Sequence, residues 1–524
     1  MKQHEQITRS AGIVGSLTFL SRIAGYARDV VIAYFFGATA LTDAFWVAFR
    51  IPNLLRRLFA EGSLTISFIP VFTQYLETKN KEEAKKVADA VFTILVFLLI
   101  LISIGGILLS PYIIKLFAAG FDESTFELAV SLNRIMFPYI IFISLTALSM
   151  GVLNSLRHFF APAFSPVILN ICIIVAVLFL YKNFNVPIYA AAVGVIAGGI
   201  LQLIFQLPFL YGRGFLFSFR KQVRHPAVKK IGFLIIPQLF GVAVYNINIL
   251  VNTQYASFMT EGTISYLYFA ERLIEFPLGI IAVSIATVLL PSLSSYVSKK
   301  EFDKFKETYS FTLRLMFFIL IPALVGLIVL RVPICNLLYQ RGEFDYAATV
   351  FTSQALLGYA VGIWAVGGIR ITAPAFYSMQ DTKTPVIIAF VAFIVNAVLG
   401  YVLGFTFGYK HTGLALASSI SSIINFVLLF YLIERRVGNI NIKSIIVLLV
   451  KLTAISGVMG VVIWRISKLT FWNESAFSLE KIGILAASIV IAAVIYFLLA
   501  KILKIEEADF LVKMIRRGRK INDG

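Results

Sequence analysis

Apolar residues run through this chain in long blocks separated by short polar stretches. A helix that crosses a bilayer needs about 20 mostly apolar residues. Fourteen blocks approach that pattern, near 11–36, 41–76, 86–111, 126–156, 160–181, 187–211, 227–258, 263–298, 305–330, 346–378, 384–407, 412–434, 444–466 and 482–503. Several exceed 30 residues, which predicts helices that tilt, bend or project beyond the bilayer. Pro52, Pro138, Pro237, Pro277 and Pro374 stand inside such blocks. Each removes a backbone donor and predicts a kink that neighbouring helices tolerate. The pattern predicts an all-α polytopic membrane protein with about 14 transmembrane helices.

Composition agrees with that class. The 524 residues are 59% hydrophobic and 14% charged, with a mean hydropathy of +0.88, whereas soluble proteins carry about 25% charged residues. The charge is lopsided: 46 Lys+Arg against 27 Asp+Glu give a formal +19. Nucleic-acid binders show basic solvated faces rather than apolar blocks, so no nucleic-acid partner is expected. Sorted by connection, one side of the membrane holds 28 Lys+Arg and 14 Asp+Glu, and the other holds 8 of each. The 212–230 connection has six basic residues and no acid. Cytoplasmic loops collect Lys and Arg, so both termini are expected in the cytoplasm. The tail from Lys501 to Lys520 reads as an anchor on anionic lipid. The first block is broken by Arg22 and Arg28, which is unlike a cleavable signal peptide. Cys172 and Cys335, far apart in the chain, suggest neither a disulfide framework nor a metal cluster.

Two sequence echoes share nearly one offset. Pro70 and Tyr75 in FIPVFTQYL match Pro291 and Tyr296 in LLPSLSSYV, 221 residues on. Ser155 and Pro162 match Ser378 and Pro385, 223 residues on. With six spans per repeat both halves enter from the same side, so two pseudo-symmetric six-helix lobes are expected, able to rock around a shared cavity. The division is then 1–222 for the N-lobe, 223–440 for the C-lobe and 441–524 for two extra C-terminal helices with the basic tail.

Within the spans lie Arg22, Arg28, Arg50, Arg56, Arg57, Arg134, Arg272, Arg314, Arg370 and Lys451, but only Asp29, Asp43, Glu61, Glu271 and Glu275 as acids. A charge at mid-membrane costs about 2.5–3.5 kcal/mol on insertion scales, so such residues face a bundle interior or a wet cavity. Arg314 and Lys451 lie near helix ends and are expected to snorkel. Arg22, Arg28, Arg272 and Arg370 are too deep for that; they either lock the bundle as ion pairs or line a cavity. Arg22 and Asp29 share a helix face, as do Asp43, Arg50 and Arg57, while Arg272 and Glu275 are i,i+3 neighbours. The surplus of arginine suits an anion, and the planar guanidinium fork suits phosphate oxygens. Glycine pairs such as Gly198-Gly199 are read as close-packing points. No histidine has metal-ligand spacing and no phosphate-binding loop motif appears, so neither a catalytic residue nor a metal site is expected.

The stretches SRIAGYARD (21–29), TDAFWVAFRIPNLLRRLFAEG (42–62), FIPVF (68–72), ERLIEFPLGI (271–280) and APAFYSMQDTKTP (373–385) resemble the MurJ/MviN family of lipid II flippases. That family belongs to the multidrug/oligosaccharidyl-lipid/polysaccharide exporter superfamily. The resemblance implies transfer of lipid II, an undecaprenyl-pyrophosphate-linked peptidoglycan precursor, from the inner to the outer leaflet of the bacterial cytoplasmic membrane. It places substrate-binding arginines at Arg22, Arg28, Arg56 and Arg272. It places gating or ion-pair acids at Asp43 and Glu275, to which helical spacing adds Asp29. Arg50, Arg57 and Arg370 are further candidate cavity charges; some relatives carry Lys at position 50. No cofactor is expected, although coupling to the membrane potential or a monovalent cation fits, and the protein is expected to be a monomer among membrane lipids. The alternatives are a related exporter of another lipid-linked oligosaccharide or drug, and a membrane enzyme acting on polyprenyl pyrophosphates.

Overall fold

The computed structural model describes residues 2–56, 65–220, 225–474 and 478–511. Among them no strand occurs, and the chain runs as nineteen α-helices with a 3₁₀ turn at Tyr181–Asn183 and a π turn at Val402–Thr406. The helices are α1 (Lys2–Phe36), α2 (Ala40–Arg56), α3 (Thr65–Thr78), α4 (Lys81–Leu108), α5 (Ser110–Ala118), α6 (Glu123–Met136), α7 (Tyr139–Ser155), α8 (Phe160–Leu180) and α9 (Tyr189–Tyr211). They continue as α10 (Pro226–Ser257), α11 (Thr263–Ser298), α12 (Phe302–Val329), α13 (Arg331–Tyr339), α14 (Tyr346–Ala360) and α15 (Ile363–Ser378). The last four are α16 (Lys383–Tyr401), α17 (Lys410–Val437), α18 (Ile442–Ser467) and α19 (Leu479–Ile502).

Among the described residues each of the fourteen apolar blocks falls on one helix or on two helical segments, and 57–64 of the 41–76 block lie outside the described residues. Nine spans among the described residues are long and apolar enough to cross a membrane, and α14 with α15, bent by 43°, makes a tenth. The expected fourteen are therefore not all reached on that measure. Pro138 stands between α6 and α7 as the N-cap residue of α7. Pro52, Pro277 and Pro374 lie inside α2, α11 and α15. The short α5 and α13 extend the blocks of α4 and α12 by a further helical segment.

Local sequence sets many helix starts. The first amides of a helix lack intrahelical partners, and an Asn, Asp or Ser at the N-cap supplies one. Asn80 accepts from Glu83 N at 2.8 Å, Asp345 from Ala348 N at 2.7 Å and Ser478 from Lys481 N at 3.1 Å. Asp122 accepts from the Ser124 and Thr125 amides at the head of α6. Hydrogen bonds from Ser124 and Thr125 hold its carboxyl down at about 2.

The chain forms two compact units, Met1–Ser265 and Tyr266–Gly524. In the first, α8 packs on α1 and α9, α2 packs on α6 and α7, and α10 packs on α3, α4 and α5. Its core holds Phe45, Trp46, Phe68, Phe72 and Tyr139. A Cβ built at Gly194 would stand 2.7 Å from Ile173 Cα, and one at Gly199 would stand 2.6 Å from the Tyr139 ring. The packing of α9 on α8 at Gly194 and on α7 at Gly199 thus depends on residues without side chains, as the glycine-rich segment predicts. In the second unit α12 packs on α15 and α18, and α17 packs on α14, α15 and α16. The C-terminal pair α18–α19 belongs to this unit, where Tyr496 Oη donates to Phe318 O at 2.6 Å.

Candidate functional site

The inner charges fall into three groups. The first lies where α1 meets α8. Arg28 donates from Nε and Nη2 to Asp29 Oδ1 at 3.0 and 2.6 Å, and from Nη1 to Asn170 Oδ1 at 3.1 Å. Its guanidinium lies 6.0 Å from the ring centres of Trp46 and Phe49. Arg28 is 6% exposed and Asp29 is fully buried. A buried charge is tolerated only when paired and hydrogen-bonded, and here carboxylate, amide and aromatic faces together surround the cation. Arg22 shares a helix face with Asp29, yet the carboxylate is taken by Arg28. Half-buried Arg22 has no hydrogen-bond or ion-pair partner among the described residues.

The second group joins α2 to the turn between α10 and α11. Asp43, 3% exposed, accepts from Gly262 N and Ser265 N, both at 2.8 Å, and from Ser265 Oγ at 2.6 Å. Those amides open α11, so a carboxylate on α2 caps a different helix and meets its positive dipole end. The relation is reciprocal: Glu261 Oε1 accepts from Ala40 N, the first residue of α2, at 2.7 Å. Two turns further along α2, Arg50 donates to Thr253 Oγ1 of α10. Asp43 therefore meets amides and a hydroxyl rather than an arginine, and the arginine that shares its face meets a neutral oxygen. Arg56 ends α2 with its side chain outside the described residues, and Arg57 lies outside them altogether.

The third group belongs to the second unit. Arg272 Nη1 donates to Glu275 Oε2 at 3.0 Å, as the i,i+3 spacing on α11 predicts. The pair is about one-third to one-half exposed, and the guanidinium lies 5.8 Å from the Tyr268 ring centre. Arg370 of α15 reaches Leu278 O, two turns along α11 from Arg272, at 3.4 Å.

Arg314 and Lys451 do more than snorkel. Arg314 Nε stands 3.1 Å from buried Glu507 Oε1, and Nη1 donates to Ser444 Oγ at 3.2 Å. Lys451 Nζ donates to Leu503 O at 3.2 Å. These contacts tie the segment after α19 to α12 and α18. Sequence reading missed Asn170, Thr253, Glu261 and Ser265. Asn170 had a usable signal, since it is an isolated amide in the apolar run PVILNICIIV. The others lie in sequences typical of any helix end. Among the described residues no group of three His, Cys, Asp or Glu side chains converges as metal ligands would.

The family profile for lipid II flippase MurJ matches residues 32–483. A lipid II flippase MurJ from Burkholderia cenocepacia is 36% identical over 491 residues, covering 92% of this chain and 95% of the relative. A probable lipid II flippase MurJ from Vibrio cholerae is 38% identical over 479 residues, covering 89% and 91%. Among solved structures, lipid II flippase MurJ in an inward closed conformation superposes with a TM-score of 0.79 at 29% identity, covering 94% of this chain and 98% of that one. An inward-facing multidrug resistance transporter of the MATE family, from the MOP superfamily, gives 0.67 at 15% identity, covering 83% and 99%; it supports the fold alone. With most of the chain matched and its helices superposing on a family structure, the protein belongs to the lipid II flippase MurJ family.

Proposed function

We propose that this protein is a lipid II flippase of the bacterial inner membrane. In this reading it carries the pyrophosphate-linked headgroup from the inner to the outer leaflet while the prenyl tail stays in lipid. Relationship over most of the chain to proteins named for that activity is the observation that carries the reading. The arginine surplus is its chemical counterpart. Arg22, Arg28, Arg56 and Arg272 are assigned to the pyrophosphate, with Arg50, Arg57 and Arg370 as further cavity charges. A diphosphate offers oxygens to several guanidinium forks at once, so it can replace the partners that Arg28 and Arg272 now hold.

Asp29, Asp43 and Glu275 act as gates in this reading. Asp43 joins α2 to the start of α11 by hydrogen bonds that a movement of those helices would break and remake, while Asp29 and Glu275 hold Arg28 and Arg272 until an anion takes their place. Binding an anion offsets repulsion among the arginines and favours closure around the headgroup; release follows once the cavity opens outward. No cofactor is invoked. The membrane potential, worth about 2.3 kcal/mol per charge per 100 mV, or a returning monovalent cation resets the carrier. The protein acts as a monomer with both termini in the cytoplasm, and it is a transporter rather than an enzyme.

The test is leaflet transfer of labelled lipid II by purified protein in liposomes. Wild type is expected to transfer the label without altering it chemically. Arg28→Ala and Arg272→Ala are each expected to abolish transfer while the protein remains folded and inserted. Normal transfer by both variants overturns the site assignment. Chemical turnover of the lipid favours the polyprenyl-pyrophosphate enzyme, and transfer of other lipid-linked sugars at equal rate favours a general exporter.

A further inference from the structure

A second cationic feature lies away from the arginine groups, on the side that the charge distribution assigns to the cytoplasm. Where α3 ends and α10 begins, a cleft of about 210 Å³ is lined by Gln74, Tyr75, Thr78, Lys79, Pro226, Ala227 and Lys230. It has two ammonium groups and no carboxylate in its lining. Lys79 has no ion pair among the described residues, and Lys230 donates to the neutral Gln74 Oε1 at 3.1 Å. Glu83, which approaches neighbouring His225 Nε2 at 4.0 Å, is already held by Lys86 at 2.6 Å. The cleft floor is fixed: His225 Nδ1 accepts from Ala227 N at 3.2 Å, and its ring packs edge-on against Tyr75. The start of the 32-residue α10 adds the positive end of its dipole.

What lies beside the cleft indicates the kind of anion. Phe233 and Leu234 follow Lys230 by three and four residues, hence on the same face of α10, and they are 78% and 42% exposed. Cations followed by exposed apolar side chains one turn deeper match a phosphate headgroup joined to acyl chains. Basic pockets between membrane helices on the cytoplasmic side suit anionic headgroups. We infer that the α3–α10 cleft binds the headgroup phosphate of an anionic phospholipid of the inner leaflet, with Lys79 and Lys230 as phosphate ligands and Phe233 and Leu234 against the acyl chains. This site is separate from the flipped substrate and does not depend on the flippase reading.

The experiment measures retention of phosphatidylglycerol and phosphatidylcholine on the purified full-length protein by native mass spectrometry. Wild type should retain phosphatidylglycerol preferentially. K79Q/K230Q should lose that preference by about thirtyfold, from about 1 kcal/mol per lysine. K229Q/K299Q removes two charges outside the cleft and should leave it intact; melting temperature confirms that both variants fold. Equal retention by wild type and K79Q/K230Q, or equal loss in K229Q/K299Q, overturns the site, since the first denies lysine recognition and the second shows diffuse attraction only. A parallel titration with inorganic phosphate separates the two sources of the anion. Weakened lipid retention in Phe233→Ser with phosphate affinity unchanged supports a phospholipid. Lysine-dependent phosphate binding without lipid preference assigns the cleft to a soluble phosphate and overturns the lipid.

Discussion

Removing the Asp43 carboxylate would strand three donors that it alone is seen to satisfy: Gly262 N, Ser265 N and Ser265 Oγ. A buried donor left without a partner costs about 1–3 kcal/mol. Asp43→Ala should therefore lower the melting temperature of the purified protein markedly. Asp43→Asn, which keeps an acceptor oxygen but loses the charge, should fall between Ala and wild type. Identical melting of all three would mean that the α11 amides find other acceptors. The arginines of the candidate site were legible because charge inside an apolar block is costly, and Arg272–Glu275 was legible because helical spacing brings i,i+3 side chains together. The partners of Asp43 were not, because they lie 219 and 222 residues away. Local spacing likewise favoured Arg22 as the neighbour of Asp29, whereas the flexible Arg28 side chain folds back onto it and is fixed by Asn170, 142 residues distant.

At the level of helices, periodicity and length located the elements, and proline placed the α6–α7 break at Pro138. The bend between α14 and α15 has no proline at the break; the two helices meet at Gly362, the N-cap residue of α15, a position that the length of the block could not give. Packing distance is a second property that only the folded element discloses. Gly194 and Gly105 are both glycines within apolar helices, yet a Cβ at Gly194 would meet Ile173 Cα at 2.7 Å, while one at Gly105 meets nothing within 4 Å. Gly→Ala in an open helical position stabilises by about 0.8–1 kcal/mol. Overpacking a tight contact costs about 1–3 kcal/mol instead. Thermal unfolding should thus separate the pair by sign, with Gly105→Ala at or above wild type and Gly194→Ala below it. A loss in both would mean that flexibility, rather than close approach, governs these positions.

For the whole molecule, the +19 charge separates into parts with different physical meaning. About +14 lies in connections on one side of the membrane, the other side is neutral, and +5 lies within the spans. The first part concerns orientation and the last concerns the anion site, a distinction that total charge hides. The repeat offset is a sequence property; the division of contacts at Ser265 and Tyr266 follows α10, which packs with α3, α4 and α5 in the first unit. Orientation is open to a direct test. The two native thiols would first be replaced, Cys172 by Ser and buried Cys335 by Ala. Single cysteines would then be placed at Lys299, in the basic connection before α12, and at exposed Glu343, in the connection before α14. In intact cells a membrane-impermeant thiol reagent should label Glu343→Cys and spare Lys299→Cys, which should react only after permeabilisation. These positions flank α12, one of the spans long and apolar enough to cross alone, so they must lie on opposite sides if it crosses once. Labelling of Lys299→Cys with protection of Glu343→Cys would reverse the orientation and put the basic α3–α10 cleft on the outer face. Labelling of both in intact cells would instead show that α12 does not separate them. Only the expected pattern puts Lys79 and Lys230 beside the inner leaflet, where anionic headgroups can reach them.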